Sequence, residues 1–322
     1  MNKKKNIYEF LKVLLIIISL IFIYNSTKGQ YSLMVTKLNF DIESILLIFL
    51  IMIFLHTLYS LRIFFFLKLS SKYNANFIEW SSLYYLTSII NLSPLWGTGH
   101  VIRSYELKQN NFSYSEYISM YLYIVIWDVL TYSLLLIYIS YIFNVLNYLN
   151  FQILFVLVLL GILSFSKNFL KFLLKFLEKL FNFKSLKKNK FFDLIKIRVL
   201  NLIKISFSVL TLKMVIYFFT FTLFIFFLDY FLLNSIFKYG LQIFDYKVIF
   251  QFFLFIFLIN KIQLIGGIIG VRESFLGFYA EQVGMLFLEG LIISLAIRLF
   301  AAISLISNYI FYYLIIKIRK FF

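Results

Sequence analysis

The chain of 322 residues has no cysteine and a single proline, Pro94. The absence of cysteine excludes disulfides, thiolate metal sites and cysteine nucleophiles. Histidine is almost as scarce: His56 and His100 stand far apart, so no zinc site is expected, and no metal or other cofactor is assigned. Charged residues make up 14% of the chain, against about 25% in soluble proteins. No polar stretch is long enough for a separate soluble domain, and residues 1–322 read as one integral membrane domain. No nucleotide-binding motif occurs, so the chain is not expected to hydrolyse ATP.

What remains is overwhelmingly apolar. Hydrophobic residues form 62% of the sequence, with 43 phenylalanines and 24 tyrosines. A membrane-spanning helix needs about 20 apolar residues, because hydrocarbon offers backbone N–H and C=O no partner outside the helix. Spans of this kind are expected at 10–24, 44–61, 117–143, 147–165, 203–230 and 286–316. The net charge is +17. Its lysines and arginines cluster between apolar runs, as the positive-inside rule and contact with anionic head groups would have it, so nucleic acid is not an expected partner.

Charge then orients the spans. Lys3, Lys4 and Lys5 place the N-terminus in the cytoplasm, ahead of an uncleaved first helix. Lys317, Arg319 and Lys320 place the C-terminus there too, and Arg62, Lys68 and Lys72 flank the second span on the same side. Within residues 166–198, Lys167, Lys171, Lys175 and Lys179 recur every four residues, with Phe169, Leu173, Phe176 and Leu180 off that stripe. This spacing predicts a basic amphipathic helix on the inner leaflet.

Two segments do not fit simple spans. Residues 77–112 must enter and leave on the cytoplasmic side, yet contain the apolar run "FIEWSSLYYLTSIINLSPLW". Pro94, Gly97 and Gly99 then break a re-entrant helical hairpin. Residues 248–285 contain Gly266, Gly267 and Gly270 and read as a second hairpin, entering from outside. The expected fold class is therefore all-α: a polytopic membrane helix bundle with about six full spans and two re-entrant hairpins in inverted arrangement. Broken segments at matching places in two halves point to a transporter-type binding site.

Ionisable groups within such segments cost roughly 2.5–3.5 kcal/mol each on insertion scales, so each needs a reason. Arg103 and Arg272 sit beside the two breaks; a guanidinium stays charged when desolvated and grips phosphate through paired N–H donors. Glu273, Asp128 and Glu289 are candidate counter-ions. Structural pairing, of Arg272 with Glu289 or of Arg298 with Asp128, is the alternative. His100 is a candidate proton-responsive group.

The stretches "SPLWGTGHVIRSYELK" and "GGIIGVRESFLGFYAEQVG" resemble the two motifs of the lysylphosphatidylglycerol synthase transmembrane-region family, flippase-like prokaryotic membrane proteins. Gly270 to Glu273, Gly-Val-Arg-Glu, is the most specific piece; His100 stands where such proteins usually carry glutamate. The resemblance covers nearly the whole chain and implies translocation of a lipid across the cytoplasmic membrane; aminoacyl transfer is not implied. The expected partners are membrane lipids, anionic or lipid-linked, and an envelope-biosynthesis protein or a second copy of the chain. An enzyme acting on lipid-linked sugars, with Glu106 or Asp128 as base, and an accessory subunit of glycan assembly are the competing readings.

Overall fold

The computed structural model describes residues 24, 40–69, 76–92, 98–109, 112, 114–143, 158, 212–261 and 270–319. The expected spans at 10–24 and 147–165, apart from Tyr24 and Val158, lie outside these residues. So do the basic stretch at 166–198 and Pro94, Gly97, Gly266 and Gly267. Among the described residues the structure is helical, without strands: α1 Ile42–Leu69, α2 Phe77–Leu92, α3 Thr98–Gln109, α4 Tyr114–Phe143, α5 Leu212–Ser235, a π-helical turn Ile236–Gly240, α6 Tyr246–Lys261, α7 Val271–Gln282 and α8 Phe287–Arg319.

Among the described residues, four helical stretches are long and apolar enough to cross a membrane: Ile42–Lys68, Tyr123–Tyr141, Ile216–Gly240 and Phe287–Arg319. Their solvent exposure is inverted relative to a water-soluble protein. On α8 the outward residues Leu295, Leu299, Ile303, Ile306 and Ile310 form an apolar stripe at helical spacing, while Ser294, Ser304 and Asn308 are buried. Apolar outside and polar inside is the arrangement that a hydrocarbon solvent selects.

The span expected at 44–61 runs eight residues past its expected end, to Leu69. Arg62 looked like a flanking charge, yet it is buried and part of the helix. Beyond the expected span end at 230 the chain is likewise helical as far as Gly240, with Ile236 and Phe237 buried and Lys238 exposed.

The chain divides into two compact units, each described by itself. One comprises Met1–Ser60, Phe77–Ile102 and Phe227–Phe322; the other comprises Leu61–Asn76 and Arg103–Phe226. In the first unit α8 is the central wall, packed against α2 and α7. Tyr312 of α8 stacks on Tyr85 at 5.6 Å and meets the Phe77 ring edge-on at 5.8 Å. The Asn308 amide donates to the Ile53 carbonyl of α1 at 3.4 Å. The Trp80 indole N–H donates to the Ser60 carbonyl at 2.9 Å, joining α2 to α1.

Glycine sets the spacing of α7 and α8. A Cβ at Gly290 would run into the Leu276 carbonyl oxygen, and one at Gly277 would lie 2.5 Å from the Phe287 ring. Small residues permit this backbone approach, which compensates for the weak hydrophobic drive between helices in lipid. The turn between the two helices is closed by Gly284 at φ 82° and by the Met285 N–H, which donates to the Ala280 carbonyl at 2.8 Å.

In the second unit aromatic packing dominates. Phe66 lies between Tyr123 at 6.0 Å and Phe218 at 5.4 Å, and Tyr132 meets Phe226 at 4.9 Å. Offset and edge-on ring contacts of this kind add about 0.5–1.5 kcal/mol each beyond area burial.

Candidate functional site

α7 starts at Gly270, whose φ of 90° is a conformation that L side chains rarely adopt. A sharp backbone entry here presents the first turn of a 12-residue helix. The first N–H groups of any helix lack intrahelical acceptors and carry partial positive charge. Arg272 and Glu273 lie in this turn, and both are buried.

The carboxylate of Glu273 is fully committed. One oxygen accepts the Gly270 N–H at 2.7 Å, which closes the helix entry. The other forms an ion pair with Arg298 Nε at 2.7 Å and accepts the Ser294 hydroxyl at 3.2 Å. Glu273 therefore fastens the start of α7 to α8, and its charge is directed at Arg298.

Arg272 is different. It is 8% exposed, and its Nε and Nη2 atoms are buried without a hydrogen-bond partner. A buried guanidinium left in this state is costly, because it forfeits hydration without gaining an acceptor. The charged groups that act on it are Arg298 and Glu273, one of each sign. Glu289, the partner that the alternative reading gave Arg272, is not among them. Glu289, also buried, accepts the Leu286 N–H at 2.8 Å and caps the start of α8.

The first broken stretch is built differently. Gly99 lies in the first turn of α3, within the helix and not at its break. A Cβ there would collide with the Thr87 carbonyl oxygen of α2 and sit 2.7 Å from Asn91 Oδ1, and the Gly99 N–H donates to that oxygen at 2.9 Å. Its role is the close approach of two helical arms. His100 follows it and is half-buried.

Arg103, in the second unit, is 1% exposed and donates to the Tyr121 hydroxyl, with Tyr117 also against it. Arg103 thus has phenol oxygens around its guanidinium where Arg272 has two nitrogens unengaged. Since the two arginines belong to separate units, each is described on its own.

A further buried ion pair escaped the sequence reading. Arg62 of α1 grips Asp128 through two bonds, Nη1 to Oδ1 at 2.6 Å and Nη2 to Oδ2 at 3.3 Å. Thr222 of α5 completes the cluster, accepting from Arg62 at 3.2 Å and donating to Asp128 Oδ1 at 3.3 Å. The alternative reading had paired Asp128 with Arg298; the structure pairs Asp128 with Arg62, and Arg298 with Glu273. The missed clue was positional. Arg62 is followed by "IFFFL", which is apolar enough to extend the span beyond it.

Among the described residues no group of three or more histidine and acidic side chains could hold a metal ion. Comparisons of the chain with protein-family models, curated proteins and solved structures return no match.

Proposed function

We propose that this protein is a multi-pass transporter of the prokaryotic cytoplasmic membrane that moves an anionic lipid, or a lipid-linked intermediate, between leaflets. Arg272 holds the phosphate. The observation that carries this reading is the buried guanidinium of Arg272 with two unengaged nitrogens, at a helix start shaped by Gly270. A planar fork of N–H donors in a water-poor site is matched by phosphate oxygens. The four long apolar helices and the resemblance of "GVRE" and "SPLWGTGHVIRSYELK" to motifs of the lysylphosphatidylglycerol synthase transmembrane-region family support the same class.

In this reading the helical arms α2–α3 and α6–α7 are the two re-entrant hairpins of the bundle, joined by about six spans, with both termini in the cytoplasm. Glu273 is the counter-ion that acts on Arg272 in the empty protein.

The test is reconstitution in liposomes that carry a head-group-labelled anionic phospholipid, with dithionite quenching of the outer leaflet. The wild-type protein should equilibrate the label between leaflets, and Arg272→Ala should reduce the rate at least tenfold, while Glu281→Gln at an exposed position leaves it unchanged. Equal rates for wild type and Arg272→Ala would refute the reading. Chemical conversion of the lipid without translocation would favour an enzyme instead, and a stable partner without either activity an accessory subunit.

A further inference from the structure

His56 stands midway along the 28-residue α1, about 20 Å from either end at about 1.5 Å per residue. A side chain at that depth of a span meets other helices or hydrocarbon, and not water. The imidazole makes one polar bond, a donation to the Ala301 carbonyl of α8. Its Nε2 atom is buried without a hydrogen-bond partner, so the donor is Nδ1. A neutral imidazole carries one N–H, and with that proton on Nδ1 the Nε2 atom is a bare lone pair. These contacts set the tautomer and leave a basic nitrogen inside the membrane.

The titratable side chains on the helices of this unit around His56 are few. Tyr59 of α1 has its ring 6.5 Å from the imidazole, and its hydroxyl donates to Asp229 of α5 at 3.2 Å. Tyr85 lies on α2, and Arg298 and Tyr312 lie on α8. None of them acts electrostatically on His56. Among the described residues, burial and the Ala301 bond are the influences on the imidazole, beside the Tyr59 ring contact.

We propose that His56 Nε2 is an intramembrane proton-binding site, and that the proton taken up there parts α1 from α8. The proposal does not rest on the Arg272 reading. A bare Nε2 in a dry seam forfeits one weak hydrogen bond. A protonated one belongs to a cation with neither counter-ion nor acceptor, which an apolar interior excludes far more strongly. The imidazolium is therefore accommodated where water reaches Nε2, and a proton shifts the equilibrium toward the arrangement that binds it better. The seam that yields lies between α1 and α8. There α1 is held by His56 and by the Asn308 amide, which reaches the Ile53 carbonyl at 3.4 Å. Shorter bonds hold α1 to α2, from Trp80 to the Ser60 carbonyl at 2.9 Å and between the Ser60 and Ser81 hydroxyls at 3.2 Å. They lie about one turn past His56, so Ser60 is the hinge from which α1 swings.

The chain has two histidines and no cysteine, so both reporters can be placed without background. Full-length protein in nanodiscs, carrying 15N-labelled histidine, is titrated by magnetic resonance from about pH 8 to about pH 4, across the ordinary histidine value of 6.5. His100→Gln assigns the remaining signal to His56. At the alkaline end that signal should show a protonated Nδ1 and a bare Nε2. In parallel, Leu50→Cys on α1 and Ile306→Cys on α8, both exposed, carry nitroxides whose separation is read by pulsed electron resonance. The separation should lengthen on acidification, with the same midpoint at which Nε2 takes its proton. His56→Asn keeps a donor for the Ala301 carbonyl but cannot ionise, and should hold the separation constant. Asn308→Leu removes the other bond between α1 and α8, and should move both midpoints together to higher pH. Should His56→Asn fail to fold, the coincidence of the two midpoints and their joint movement in Asn308→Leu decide. A proton on Nε2 and not on Nδ1 at the alkaline end, titration without a change in separation, or a change that persists in His56→Asn would each overturn the proposal. All three leave lipid transport through Arg272 standing, which the liposome assay tests separately.

Discussion

Replacing Asp128 with leucine should destabilise the protein far more than removing Arg62 and Asp128 together. Asp128 stands at the midpoint of the 30-residue α4, about 22 Å from either end at about 1.5 Å per residue. The Arg62 and Asp128 side chains are 3% and 8% exposed and share a two-point contact at 2.6 and 3.3 Å. Taking away one member strands the other as a buried charge, which costs about 3–5 kcal/mol. Thr222 cannot compensate, because a hydroxyl offers Arg62 a dipole and not a charge. In Arg62→Met with Asp128→Leu, both charges leave together and similar volumes of apolar side chain replace them. Such exchanges are close to neutral or even favourable, so the double variant should lie within about 1 kcal/mol of wild type. The coupling energy would then be of the order of 3 kcal/mol or more, a size expected only of residues in direct contact. The assay is equilibrium unfolding by sodium dodecyl sulfate in mixed micelles, read by helical circular dichroism, for the four proteins of the cycle. A loss below about 1 kcal/mol for Asp128→Leu, or a double variant that equals the sum of the singles, would show that water reaches the pair and that it does not anchor α1, α4 and α5.

Two glycines should fail for different reasons. Gly290→Ala meets the Leu276 carbonyl and Ala280 Cβ at 2.8 Å, so it should cost about 1–3 kcal/mol in the same unfolding assay. Gly284 has open space around it but a φ of 82°, so Gly284→Ala should cost about 1–2 kcal/mol while Gly284→Asn costs less, since asparagine tolerates that backbone. At the start of α1, outside the span, Asp41 accepts the Ser44 N–H at 2.8 Å, and hydrogen bonds from the Ser44 hydroxyl and amide hold its carboxyl below its ordinary value of 3.8. A depressed carboxylate stabilises the fold above its ordinary value and loses that contribution as pH falls through the folded value. Protection of the Ser44 amide, measured relative to its intrinsic exchange rate, should therefore fall as pH drops below about 4 in wild type, and Asp41→Ala should show low protection that does not change with pH in that range.

Long apolar periods made most of the helices readable from sequence. The span placed at 286–316 is α8, Phe287–Arg319, and that placed at 117–143 is α4, Tyr114–Phe143. Charge placed the ends less well. Arg62 looked like a boundary because sequence shows a charge but not its partner 66 residues away. The same blindness misassigned the partner of Arg298, since the choice among Asp128, Glu273 and Glu289 depends on which helix faces pack together. Gly99 could be read as special but not for what reason: a break and a close approach leave the same letter. Arg272 and Glu273 were legible as a pair of interest because "GGIIGVRE" concentrates glycine and charge in an apolar setting. That Glu273 turns towards Arg298, while Nε and Nη2 of Arg272 have no hydrogen-bond partner, follows from the docking of α7 on α8.

The last helix has 33 residues and a length of about 50 Å, well beyond the roughly 30 Å of hydrocarbon. It meets Glu273 through Ser294 and Arg298, Ile53 through Asn308, and the α2 rings through Tyr312. These three attachments lie in sequence along one rod, and Arg298 and Tyr312 are about four turns apart on it, so α8 ties the start of α7 to the α2 rings through a single continuous helix.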